Sequence, residues 1–240
     1  MHTEHHRWHS PALDGKPMDL LVYGHAGAKL FVFPTSMGTY YEWPDRHMQH
    51  VLGDYLRNGW LQMYCLHHVH DESWYRRDLH VGARAWRHLQ YDNYVYHEVV
   101  PFSYSRNSND FIIATGASLG AYDAAVFAMR HPDVVRRLVG MSGSYDILRL
   151  TRGQRDGTVD QVNPMALAAA PMSDDKLALH RRQDLIMAIG LDDPALDNNR
   201  AFSGILWSRG IGNALREWRG FAHDWPWWER MIRLYVGGHD

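Results

Sequence analysis

Residues 110 to 121, Asp-Phe-Ile-Ile-Ala-Thr-Gly-Ala-Ser-Leu-Gly-Ala, carry an apolar run into Gly116-x-Ser118-x-Gly120. An alanine-rich segment follows and reaches Arg130 before His131-Pro132. That order predicts strand, sharp turn, helix. A serine at such a turn takes a strained backbone conformation that lifts its hydroxyl above the sheet edge. The flanking glycines leave room where the strand and helix backbones converge. A buried strand feeding a helix is also the repeating unit of a parallel sheet, so this stretch constrains the whole chain. Ser142 provides an internal contrast. Gly140-Met141-Ser142-Gly143-Ser144 also follows a buried run, but it lacks glycine two residues after the serine, and Ser142 is read as lining a site or binding backbone.

The alternation extends to both sides. Leu30-Phe31-Val32-Phe33 has the continuous apolar character of a strand buried on both faces, and Pro34 stops it. Between Asp45 and Asn58, Met48, Val51, Leu52, Tyr55 and Leu56 fall at helical spacing, with Gly59 as a C-cap before a strand at 61–66. Ala83 to Val100 predicts a long helix closed by Pro101. Further buried strands are expected at Arg137–Ser142 and Asp184–Gly190 and a last strand at Ala214–Arg219, with helices from about Pro194 to Arg209 and from Trp225 to Val236. His5 to Leu13 and Met18 to Tyr23 suit antiparallel strands at one sheet edge. From 147 to 180 the periodicity fails at Gly153, Gly157, Pro164 and Pro171, which predicts a partly helical insertion over the site. The expected architecture is one α/β domain over residues 1–240: a doubly wound, mostly parallel sheet with helices on both faces.

Composition narrows the partners. Lys and Arg number 25 against 27 Asp and Glu, without a block of like charge, so there is no electrostatic case for nucleic acid or an anionic membrane surface. A small or neutral partner is expected. The lone cysteine, Cys65, lies in an apolar strand and suits a reducing compartment. The N-terminal residues lack an apolar signal core and no apolar run reaches membrane-spanning length, which predicts a cytoplasmic protein; oligomeric state is left open. Seventeen histidines invite a metal reading at His67-His68-Val69-His70-Asp71-Glu72. A metallohydrolase pattern would need Asp at position 72 and His at 73, where this chain has Glu72 and Ser73, so neither metal nor cofactor is expected.

A serine hydroxyl near neutral pH needs a base to act as a nucleophile. The turn after the strand ending at Gly190 carries Leu191-Asp192-Asp193-Pro194, and the turn after the last strand carries Gly220-Phe221-Ala222-His223-Asp224. Both lie at C-terminal strand ends, where an open α/β sheet builds its site. His223 is the expected base for Ser118. Asp193 is the preferred acid, with Asp192 as rival and Asp197 and Asp146 as more distant candidates. The N–H of Leu119 is the first expected oxyanion donor. The second comes from the loop after residues 30–33, at Met37 or its neighbour Ser36. Trp74, Tyr75 and Trp225 flank loops at the expected mouth and predict an apolar pocket.

These marks resemble an esterase group of α/β-hydrolases that includes feruloyl esterases, S-formylglutathione hydrolase and the antigen 85 mycolyltransferases. The resemblance runs from about residue 20 to the C-terminus. It rests on Gly-Ala-Ser-Leu-Gly-Ala at 116–121, Gly-Leu-Asp-Asp-Pro at 190–194, and His223-Asp224-Trp225 with Trp228. It implies the α/β-hydrolase fold, Asp193 as the acid, and a serine esterase that cleaves a small-molecule ester through an acyl-enzyme on Ser118. An acyltransferase with the same triad, and a non-catalytic binding module on the same fold, are the alternatives. Where many relatives have His-Gly before the oxyanion residue, this chain has Thr35-Ser36.

Overall fold

The fold, taken from a computed structural model, describes residues 2–238. Its organising fact is visible in one strand, Ala28–Phe33 (β3). Leu30 and Val32 face one apolar layer, while Phe31 and Phe33 face the other. Side chains alternate across a strand, so the four consecutive apolar residues 30–33 require cover on both sides of the sheet. The remaining strands are Thr3–Ser10 (β1), Lys16–Tyr23 (β2), Leu61–Leu66 (β4), Ile112–Ala117 (β5), Val135–Met141 (β6), Asp184–Gly190 (β7) and Ala214–Trp218 (β8). They form an eight-stranded sheet in the order β1-β2-β4-β3-β5-β6-β7-β8. β2 runs antiparallel to β1 and β4; all other neighbours are parallel.

Helices Val81–Tyr94, Leu119–Arg130 and Leu196–Ser208 cover one face through residues such as Tyr91, Phe127 and Phe202. The short helices between β3 and β4 and the last helix, Trp225–Tyr235, cover the other through Met48, Leu52, Met231 and Ile232. The C-terminal ends of six parallel strands therefore share one edge. Phe33 pairs with Gly116, Ala117 with Met141, and Gly190 with Trp218. No helix among the described residues is long and apolar enough to cross a membrane.

Several boundaries differ from the sequence-based expectation. The helix predicted over 45–58 is three short pieces, Glu42–Asp45, Met48–Val51 and Gly53–Arg57. His47, at φ 58°, breaks the first from the second. Pro101 does not close the long helix. Residues Val95–Val99 form a π turn, and the helix resumes as Val100–Arg106 with Pro101 in its first turn. An i→i+5 turn widens the backbone at the point where proline's ring and missing N–H would otherwise break an α-helix. The first edge strand ends at Ser10, and Pro11–Leu13 form a 3₁₀ turn. The segment between β6 and β7 holds four short helices, Leu148–Thr151, Gly157–Asp160, Pro164–Ala169 and Asp174–His180.

Candidate active site

Ser118 stands between β5 and its helix with φ 55° and ψ −119°. This conformation is costly for a residue with a side chain, on the order of 1–3 kcal/mol, and persists only where neighbours enforce it. Here the enforcing contact is backbone on backbone. A Cβ on Gly116 would lie 2.3 Å from the Gly120 carbonyl carbon, and one on Gly120 would lie 2.3 Å from the Phe33 oxygen. With both hydrogens in place, β3, β5 and the helix can close on the turn.

His223 reaches Ser118 from the loop after β8. Its Nε2 lies 3.1 Å from the Ser118 Oγ, and its Nδ1 lies 2.7 Å from Asp193 Oδ2. Asp193 is buried, whereas Asp192 and Asp197 are exposed. The remaining Asp193 oxygen accepts the Ala195 N–H at 2.8 Å, so the carboxylate is fixed at both atoms. The acid and histidine loops are also tied directly, since Leu191 N–H donates to Trp218 and Asp192 N–H to Gly220. At Gly190 a Cβ would lie 2.1 Å from the Phe221 oxygen, so only glycine allows this approach. Asp146 accepts from Leu148 N–H and Asn163 Nδ2, away from the imidazole. Asp224 caps the last helix through Trp225 N–H.

Ser142, at φ 49° and buried, ties the histidine loop to the sheet. Its N–H donates to Ala188, its hydroxyl donates to the Ala222 carbonyl at 2.8 Å, and it accepts from Trp228 Nε1 at 3.0 Å. Phe221 stacks on the His223 ring at 5.4 Å and Trp228 meets it edge-on at 5.6 Å. The imidazole is thus confined on two sides as well as at both nitrogens.

A cavity of about 270 Å³ opens over Ser118, bordered by Ser36, Tyr75, Leu119, Ile147 and Leu150 besides His223. Three expected lining residues behave differently. Tyr75 borders it and hydrogen-bonds Ser36 through their hydroxyls. Trp74, 1 % exposed, instead turns into a core cluster against His88 and Tyr122, because so large an apolar ring gains more from full burial. Trp225 lies outside the cavity, braced between Trp228 and the Arg46 guanidinium.

In the loop after β3, expected to supply the second oxyanion donor, the residue counted first lies away from the cavity. Met37, at φ 58°, points its side chain to solvent, and its N–H donates to His70 Nδ1 at 3.3 Å. Ser36, not Met37, borders the Ser118 cavity, and its N–H has no acceptor among the described residues. Accepting at Nδ1 requires the proton on Nε2, which His70 donates to the buried Asp123 at 2.8 Å. Glu42 holds the other end of the loop by accepting from the N–H and hydroxyl of Thr35. Counting along the chain missed His70 and Asp123. The available signal was Asp123 itself, a carboxylate inside an otherwise apolar helix. Among the described residues no three His, Cys, Asp or Glu groups come together as metal ligands.

No family model matches the chain, and no curated protein matches it in sequence. Solved structures do. A ferulic acid esterase superposes with a TM-score of 0.75 at 20% identity, covering 96% of this chain and 95% of that one. This is the α/β-hydrolase fold. An S-formylglutathione hydrolase from Agrobacterium tumefaciens gives 0.73 at 12% identity over 98% and 93% of the two chains. One from Staphylococcus aureus gives 0.69 at 15% over 98% and 96%. Ser118, Asp193 and His223 follow β5, β7 and β8 of this sheet, in that chain order.

Proposed function

We propose that this α/β-hydrolase is a carboxylic ester hydrolase in which Ser118, His223 and Asp193 act as a triad. The observation that carries the reading is the continuous relay from Ser118 Oγ to His223 at 3.1 Å and from His223 to Asp193 at 2.7 Å. His223 Nε2 takes the Ser118 proton as Oγ bonds to the ester carbonyl carbon, and Asp193 holds the imidazolium that forms. The tetrahedral intermediate expels the alcohol, which leaves with that proton. Water then adds to the acyl-enzyme with His223 again as base, and the acid is released as the Ser118 hydroxyl is restored.

Developing charge on the carbonyl oxygen calls for two fixed N–H donors. Leu119, at the start of the elbow helix, supplies one. Ser36 is the better second donor, because the Met37 N–H is committed to His70. No step requires a cofactor. Replacing Ser118 with alanine is expected to lower p-nitrophenyl ester turnover by at least about 10⁴-fold while the thermal melt is retained, and to abolish labelling by a fluorophosphonate. Retained turnover or labelling in Ser118→Ala would overturn the mechanism.

A further inference from the structure

Next to the Ser118 cavity, and sharing Arg149 and Leu150 with it, lies a second cavity of about 240 Å³. Its walls carry four arginines: Arg77, Arg84, Arg149 and Arg152. The chain as a whole has a net charge of only −2, so this concentration of positive charge is local.

The charges are not neutralised from within. Arg84 is 6 % exposed, and its donors go to the carbonyl oxygens of Ser73, Trp74 and Leu150, which carry no formal charge. Arg77, Arg149 and Arg152 form no ion pair with a carboxylate among the described residues, unlike Arg76, Arg87 and Arg155 close by in sequence or space. Of the two carboxylates bordering the adjoining Ser118 cavity, Asp193 binds His223, and Asp146 accepts from Asn163 and Leu148 through one oxygen and forms no ion pair with these arginines among the described residues. Burial first, and then the charges of Arg77 and Arg152, push the Arg84 guanidinium below its ordinary value. A buried cation facing other cations is an unfavourable arrangement unless an anion completes it. Guanidinium groups present paired donors that match the oxygens of a carboxylate or phosphate.

We propose that the arginine-lined cavity is a subsite for an oxyanion group, carboxylate or phosphoryl, carried by the ester that Ser118 attacks. The shared wall at Arg149 and Leu150 makes the two cavities adjoining parts of one substrate site. The neutral ester is held over Ser118 against Ile147 and Leu150 while its charged end lies among the arginines. This assignment rests on the hydrolase reading for its substrate, but not for the anion site itself.

The test has two arms. In phosphate-free, low-salt buffer, glutarate and inorganic phosphate are titrated separately into the protein by calorimetry. At least one should bind, and the Arg77→Gln/Arg152→Gln double variant should weaken it by about tenfold or more. These two side chains are exposed, which makes the variant foldable, and a melting curve checks it. In the second arm, kcat/KM is compared for p-nitrophenyl esters of glutaric acid monoanion and of neutral pentanoic acid, and for the acetate esters of nitrophenol and of a phosphorylated phenol. A preference of about tenfold for a charged member of either pair, lost with salt and in the double variant, assigns the anion to the acyl or the alcohol side. Absence of binding by both anions, or binding and ester preference untouched by the substitutions, overturns the subsite. Anion binding without turnover of any ester would instead overturn the hydrolase reading and leave the anion site standing.

Discussion

At Ser118 the backbone is bent into φ 55° and ψ −119°, and two absent methyl groups, at Gly116 and Gly120, make the bend affordable. The consequence can be measured at single residues. Gly120→Ala would drive a Cβ to 2.3 Å from the Phe33 oxygen and 2.5 Å from the Pro34 oxygen, both backbone atoms that cannot rotate away. It is expected to lose about 3 kcal/mol or more of unfolding free energy in a urea titration. Gly204→Ala is the matched control. It lies in the helix Leu196–Ser208 with nothing within 4 Å of the new methyl, and should gain about 0.5–1 kcal/mol from helix propensity and reduced unfolded-state freedom. An equal loss at both positions would show that close packing is not what requires glycine at the elbow.

Among elements, the loop after β3 is held by the connection after β4 and by the elbow helix. Asp123 fixes the His70 tautomer, and His70 in turn accepts the Met37 N–H. His70 therefore acts as a positioning residue for the neighbouring Ser36 N–H. His70→Phe removes the acceptor and is expected to lower kcat by about tenfold or more with a smaller change in KM, because a misplaced oxyanion donor matters chiefly in the transition state. His70→Asn restores a side-chain acceptor and should recover part of the loss. Affinity for a boronate analogue of the tetrahedral intermediate should fall in parallel with kcat. A change confined to thermal stability would limit His70 to a structural role.

Across the whole molecule, burial of histidines makes stability pH-dependent. Burial, with the neighbouring His70 and His67, pushes His68 down to about 2; burial pushes His88 down to about 4. Burial also lowers His67 and His180. In the unfolded chain these groups titrate near 6.5. Between pH 6.5 and about 4 the unfolded state thus binds more protons than the folded state, and folding stability must fall as pH falls. For His68 and His88 the slope approaches about 1.4 kcal/mol per pH unit for each. Urea midpoints measured from pH 7 to pH 4.5 should decline across this window, ahead of most carboxylate protonation. A flat profile there would contradict neutral burial of these rings.

Much of the fold was legible along the chain because parallel strands buried on both faces leave continuous apolar runs, and glycine and proline mark their ends. Ser118, Asp193 and His223 could be named for the same reason, since each sits where a predicted strand stops. Helix interruption at His47 and passage of the helix through Pro101 were not legible, because a left-handed residue and a π turn depend on what the neighbouring layers require. Local sequence could narrow the acid of the proposed triad to two adjacent aspartates, but it could not decide which side chain the histidine loop would meet. Nor could it show that Trp74 turns inward, that Met37 gives its N–H to His70, or that Arg77, Arg84, Arg149 and Arg152 converge on one cavity. Such pairings join residues distant in the chain, and their geometry is fixed only when the sheet, its helices and the 147–180 segment pack together. The sequence by itself determined the strand–turn–helix at Ser118 and the strand ends that carry its partners. The tertiary structure decided the orientations, because a side chain's direction depends on which neighbour excludes water from it.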